Sequence, residues 1–315
     1  MSSLPLVVLG PQRQQPNLAE SLTQLGFADC ERIATVTAGG EERESEDEEL
    51  HEHLWSRSVN LRLYERSDGA LREDHELRAG VRWRTERLRE VQELYRIRVS
   101  HTIEAVRELF RRQPTPNGAD LLASERSSAI DALRALDAEH ERVVGAIREE
   151  FIARWHPYER PAVVRQRAEV EGVLAGCALV CVAGGHVAIL LDVLRLFEFP
   201  RLLGERALVT WSAGAMALSE RVVLFHDSPP QGQSSAELLE SGLGVVRGIL
   251  PLPHAAQRLK LGEPQRVAFL ALRFRPLLAI PLDAGAQLVW DGRGWRGIAG
   301  TQKLTEEGAL VEVGA

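Results

Sequence analysis

The sequence predicts an α/β protein with a mostly parallel sheet, interrupted by a long α-helical hairpin. Three observations predict it. After residue 161 the pattern reads helix 162–174, strand 178–183, Gly184-Gly185, helix 186–198, strand 206–210, Ser212 with a helix, and strand 221–226. Strands separated by helices pair in parallel, with the crossover helices covering the sheet. The amino-terminal region opens in the same rhythm, with a strand at 5–10, a helix from Asn17 to the Gly26 stop, and a strand at 32–37. Between the two lie about eighty residues that are nearly all helix formers.

Each remaining element follows in order. Ala38-Gly39-Gly40 breaks the second strand. The acidic run 41–54, with Glu41, Glu42, Glu44, Glu46, Asp47, Glu48 and Glu49, reads as the solvated first turns of a helix, where carboxylates suit the macrodipole. His51 and His53 flank Glu52 within it. Val59 to Tyr64 alternates like a third strand. From His75 to Arg112, apolar residues recur at spacings near three, four and seven. Gln113-Pro114-Thr115-Pro116-Asn117-Gly118 ends that helix, and a second follows over 119–155. Two helices of similar length joined by such a turn form an antiparallel hairpin. Its apolar seam must bury against itself, the rest of the chain or a second subunit, so a homodimer through the hairpin is one expectation. The division expected is 1–74 and 158–315 as two parts of one α/β domain, with 75–157 inserted.

Composition narrows the function classes. The chain has 315 residues, 44% hydrophobic and 26% charged, with a formal charge of −7. That balance argues against nucleic acid or an anionic membrane as partner. The arginines of the hairpin are interleaved with carboxylates, as on a solvated helix face. The start Met-Ser-Ser-Leu-Pro-Leu-Val-Val-Leu-Gly has no basic stretch before its apolar run, so no signal peptide is expected. Three cysteines, Cys30, Cys177 and Cys181, suit a reducing cytoplasm, and the last two read as small hydrophobes of a buried strand. No metal or cofactor is expected.

The chemistry points to Leu208-Val209-Thr210-Trp211-Ser212-Ala213-Gly214-Ala215. A strand end passes at once into a serine and then small residues that open a helix. This is the nucleophile-elbow pattern, which exposes a hydroxyl beside backbone N–H groups. Thr210 replaces the first of the usual flanking glycines. A serine nucleophile needs a base, and the base an orienting acid. His226 and His254 are the candidate bases. His254 closes the apolar strand 249–253, and His226 ends the strand after the nucleophile helix. Asp227 lies one helix and one strand beyond Ser212, on a route that returns the chain to the elbow. Gly184 and Gly185 can bring bare N–H groups to a carbonyl oxygen, with the Ala213 N–H completing an oxyanion hole.

The region from Leu179 to Val313 resembles the S51 serine peptidases, the family of aspartyl dipeptidase and cyanophycinase. The likeness rests on Ala183-Gly184-Gly185-His186, the Ser212 to Ala215 elbow, and Gly242-Leu243-Gly244 leading to Pro253-His254. It continues in Leu278 to Val289, a strand, an acidic turn and an Ala-rich strand. The resemblance implies a glutamine-amidotransferase-like three-layer sandwich. It makes Ser212 the nucleophile, His254 the base, Asp227 the acid, and Gly185 and Ala213 the oxyanion donors. Asp283, in the acidic turn, is the alternative acid. The family hydrolyses peptide bonds after aspartate or β-linked aspartyl bonds without a metal. The expected partner is therefore a small peptide or isopeptide, with Gly184, His186, Trp211, Arg258 and Arg247 as candidate substrate contacts. His186 stands where the family has asparagine. Two rivals remain: an amidase or esterase on the same scaffold, and a non-catalytic binding module that uses the hairpin to hold a partner.

Overall fold

The computed structural model describes residues 5–13, 15–225 and 236–314. The central sheet has seven strands. In chain order they are β1 (Leu6–Leu9), β2 (Ile33–Val36), β3 (Ser58–Asn60), β4 (Leu179–Val182), β5 (Ala207–Trp211), then β10 (Gln287–Trp290) and β11 (Trp295–Ile298). The spatial order is β11-β10-β1-β5-β4-β2-β3. The five strands from β1 to β3 in that order are parallel, and β10 and β11 add antiparallel pairs at one edge. This is the mostly parallel sheet that the crossover rhythm predicts.

Alternation along the strands divides the core. Val7, Leu9, Leu179, Cys181, Val209 and Trp211 face one side, beneath Leu18 and Leu22 of α1 (Leu18–Gln24). Leu50, from α2 (Glu48–His53), packs on the same side. Val8, Ala34, Val36, Val180, Val182 and Leu208 face the other. There they meet α3 (Leu63–Glu73), α6 (Pro161–Leu174), α7 (Val187–Leu196), α8 (Phe199–Leu203) and α9 (Ala213–Leu218). Helices thus cover both faces, as a parallel sheet requires.

The helical hairpin is α4 (His75–Arg111) and α5 (Ala119–Trp155). Its seam is covered by its own chain. Tyr95, Val99, Ile103, Val106, Ile130, Leu133 and Leu136 form a second core with β6 (Arg221–Phe225), β7 (Ala236–Ser241), β8 (Ile249–Pro253), α10 (Ala255–Arg258), α11 (Pro264–Phe274) and β9 (Leu278–Leu282). Each fully buried aliphatic there contributes about 1.5–3 kcal/mol. A polar node crosses this core. The Arg273 guanidinium, fully buried, donates to both carboxylate oxygens of Asp137 at 2.8 and 2.9 Å, to Tyr95 Oη at 3.0 Å and to the Ala236 carbonyl at 2.7 Å. Tyr95 in turn donates to Asp137 at 2.6 Å. The chain ends in a small antiparallel pair, β12 (Gln302–Leu304) and β13 (Leu310–Glu312).

Two expectations are corrected. The strand expected over 59–64 stops at Asn60, and α3 begins at Leu63. Asn60 Nδ2 donates to Thr37 Oγ1, the Glu44 carbonyl and Asp47, and its Oδ1 accepts from the Arg62 N–H, so the chain turns there. Arg62 adopts φ 49°, which ends the extended run. The acidic run is not one solvated helix face. A 3₁₀ segment occupies Ala38–Arg43, α2 begins only at Glu48, and Glu44 between them is buried. Its carboxylate accepts the Tyr64 and Glu65 N–H groups, the open donors of α3's first turn. Burial pushes this carboxyl up from the ordinary glutamate range, against the hydrogen bonds that lower it.

Candidate active site

The strand β5 is wholly buried and paired on both sides, with Trp211 opposite Leu9 and Thr210 opposite Val182. At its end Ser212 takes φ 50° and ψ −125°, and α9 starts at the next residue. A non-glycine residue in such a conformation stores about 1–3 kcal/mol, and the surrounding structure must hold it. Here Gly214 helps. A Cβ on it would lie 2.5 Å from the Val182 carbonyl and 2.7 Å from Thr210 Oγ1, so α9 sits directly against the ends of β4 and β5. Thr210 replaces the expected glycine without crowding, because its hydroxyl donates to the Val182 carbonyl at 3.1 Å.

The far end of α9 is clamped by the Gly242-Leu243-Gly244 motif. Leu243 N donates to the Ala217 carbonyl, and Val245 N and Val246 N both donate to Leu218. Gly242 N and Gly244 N close onto Glu220 and Ser219. These bonds satisfy carbonyls that the helix end leaves open. The motif therefore fixes the serine-bearing segment from behind.

A glycine cradle faces the serine. A Cβ on Gly184 would lie 2.9 Å from Ser212 Cβ, 3.4 Å from the Ala213 nitrogen and 3.7 Å from Ser212 Oγ. The missing side chain leaves a space bounded by the hydroxyl and a backbone N–H. Gly185 has φ 128°, and a Cβ there would strike the Gly39 carbonyl at 2.2 Å. Gly39 itself packs on Gly184 and Gly185, and its carbonyl accepts the His186 N–H at 2.7 Å. Gly39 is a member of the cradle that sequence reasoning did not assign. Its signal was the Ala38-Gly39-Gly40 break at the end of β2. His186 caps α7, its Nδ1 accepting the Ile189 N–H at 3.3 Å, and it is exposed.

His254 lies at the carboxyl end of β8 in the left-handed region, φ 57° and ψ 35°, half-buried. Its N–H donates to the Leu282 carbonyl at the end of the parallel neighbour β9. Asp283 follows, and both its carboxylate oxygens accept the Ala256 N–H, at 3.1 and 3.2 Å. Gly10, just past β1, packs on the Asp283 carbonyl so closely that a Cβ would lie 1.9 Å from it. Trp211, Leu9, Gly10, Asp283 and Ala256 thus form one contact path from the serine turn to the histidine turn. Both turns occupy the carboxyl-end rim of the strands, where α/β sheets bind ligands. Ser212 Oγ has no hydrogen-bond partner among the described residues. Asp227 and His226 lie outside the described residues.

The candidate substrate contacts fare differently. Trp211 is buried in the core beneath α1. Arg247 is exposed at the amino end of β8, the end remote from His254, with its Nε donating to the Gly244 carbonyl. Arg258 is half-buried in the last turn of α10, four residues from His254. His51 Nδ1 bonds Ser58 Oγ at 2.7 Å and His53 Nδ1 bonds the Glu49 carbonyl at 2.8 Å. Cys177 and Cys181 are buried around β4, and burial pushes both thiols up.

No family model matches the chain, and no curated protein matches it either. Among solved structures it is similar to the crystal structure of a peptidase from an acI-B1 Actinobacterium, at 17% identity and a TM-score of 0.46, over 100% of this chain and 96% of that one. Among the described residues, no helix is long and apolar enough to cross a membrane.

Proposed function

We propose that this protein is a serine hydrolase, a peptidase of the S51 type acting on a small peptide or isopeptide bond. One observation carries the reading: Ser212 is held at φ 50° on the turn from β5 to α9, its hydroxyl without a described hydrogen-bond partner and facing a glycine that leaves room beside it. In this mechanism Ser212 Oγ attacks the substrate carbonyl while the His254 imidazole takes its proton. The N–H groups of Ala213 and Gly185 receive the developing oxyanion. His254 then returns the proton to the leaving amine, and water releases the acyl group by the same route. Asp227 is the acid that orients His254, and Arg258 is the nearby cation for an aspartyl carboxylate. Segment 75–157 is an insertion in the α/β unit. The test is labelling with a fluorophosphonate probe. Selective modification of Ser212, lost in Ser212→Ala, is expected; a well-folded protein that stays unlabelled refutes the assignment.

A further inference from the structure

The hairpin meets α7 in a cluster that the hydrolase reading does not use. Arg84 from α4, Arg148 from α5 and Arg195 from the last turn of α7 converge there on two carboxylates. Arg84 Nη2 reaches Asp192 at 2.8 Å, Arg148 binds Asp192 at 3.0 Å and also pairs with Glu240 of β7, and Arg195 pairs with Glu240. Three guanidinium groups against two carboxylates leave one positive charge in excess. The adjoining pair, Arg167 with Glu198, is neutral and adds nothing to cancel it. Arg84 is only 7% exposed, and its Nε is buried with no hydrogen-bond partner. Burying an unmatched charge and an unused donor is costly unless a counter-group arrives.

There is room for one. A pocket of about 30 Å³ opens beside the cluster, lined by Arg84, Arg148, Arg195 and Tyr158 with Phe151 and Ile152. Ile152 is exposed at its rim, so the pocket communicates with solvent. The Tyr158 hydroxyl makes no hydrogen bond to a described residue, which gives the pocket a neutral donor as well. Burial, and the like charges of neighbouring guanidinium groups, lower the pKa of Arg84 and Arg195. An anion would relieve both. We infer that this pocket binds a small oxyanion of phosphate size, held by the Arg84, Arg148 and Arg195 guanidinium groups and the Tyr158 hydroxyl. Guanidinium forks suit such a ligand because their parallel N–H groups match its oxygens. The occupied site would tie the base of the hairpin to α7, whose opposite end carries Gly185 and His186.

The experiment is calorimetric titration of the full chain with inorganic phosphate, against sodium chloride at equal ionic strength, alongside thermal unfolding. Saturable one-site binding with a rise in Tm is expected for the wild type. Tyr158→Phe should weaken it several-fold and Arg84→Gln at least tenfold. Should Arg84→Gln fail to fold, Tyr158→Phe decides alone. A folded wild type with no saturable binding, or Tyr158→Phe binding as tightly as the wild type, overturns the inference. The readout needs no turnover, so it stands or fails separately from the Ser212 reading.

Discussion

Gly184 lies so close to Ser212 that a single added carbon would sit 2.9 Å from the serine Cβ and occupy the space next to the Ala213 N–H. The two residues belong to different strand-to-helix turns, one after β4 and one after β5, and the parallel pairing of those strands sets them side by side. Gly184→Ala is therefore a probe of the reaction space. Displacing a reacting group by about 1 Å can cost about a hundredfold in rate. A loss of that order in fluorophosphonate labelling is expected, with circular dichroism unchanged. Gly185→Ala should instead destabilise the protein, because its clash is with the backbone of Gly39.

Asp283 and Asp227 make opposite predictions as candidate acids. Both Asp283 oxygens accept the N–H of Ala256, so this carboxylate caps the turn that carries His254. Asparagine can still accept one such bond. Asp283→Asn should lower turnover only a few-fold, and Asp283→Ala should cost about 1 kcal/mol of stability, as a lost cap does. Asp227→Asn should lower kcat by about four orders of magnitude, as loss of the orienting acid does in serine enzymes. Steady-state kinetics of the two variants rank them, and the reverse order would move the role to Asp283.

The foot of the hairpin should titrate. Asp74 caps α4 by accepting the Leu77 N–H at 2.9 Å, and it receives two bonds from Arg160 at 2.6 and 2.8 Å. The Arg160 hydrogen bonds hold its carboxyl below the ordinary aspartate range, against a smaller opposing effect of burial. The folded state thus binds this proton less readily than the unfolded chain. The stability it contributes is present above the unfolded value of about 3.9 and is lost as pH falls through the lower folded value. Asp74→Asn should cost about 1–2 kcal/mol at pH 7, the loss of a cap and a charge-assisted pair. Urea denaturation should show the gap between the two proteins closing as the pH is lowered below 4.

What the sequence disclosed and what it withheld follow from the range of the interactions. The Ser212 turn was legible because β-branched residues, a serine and a run of small residues are adjacent in the chain. The helix Ala119–Trp155 was legible because a Pro/Gly turn bounds it on one side and its apolar spacing is sustained. The role of Glu44 is hidden in the sequence because the N–H groups its carboxylate accepts lie 20 and 21 positions away, and that of Asn60 because the acceptors of its amide group lie 13 to 23 positions away; a carboxylate that caps a distant helix looks like any other in an acidic run. Gly39 was noticed as a strand break, yet its contact with Gly184 and Gly185 depends on β2 pairing with β4 across more than 140 residues. Nothing local marked Arg273, whose partners come from both arms of the hairpin and from β7.

That last residue bears on any attempt to trim the protein. Cutting out residues 75–157 would look harmless on a map of secondary structure, since the ends of the segment adjoin the α/β core. Yet the excision would strip Asp137 and Tyr95 from this buried guanidinium, leaving it only the Ala236 carbonyl, and would lay open the apolar layer that the hairpin covers. A minimised version of this protein would have to cover that layer anew and give Arg273 another partner in the same step.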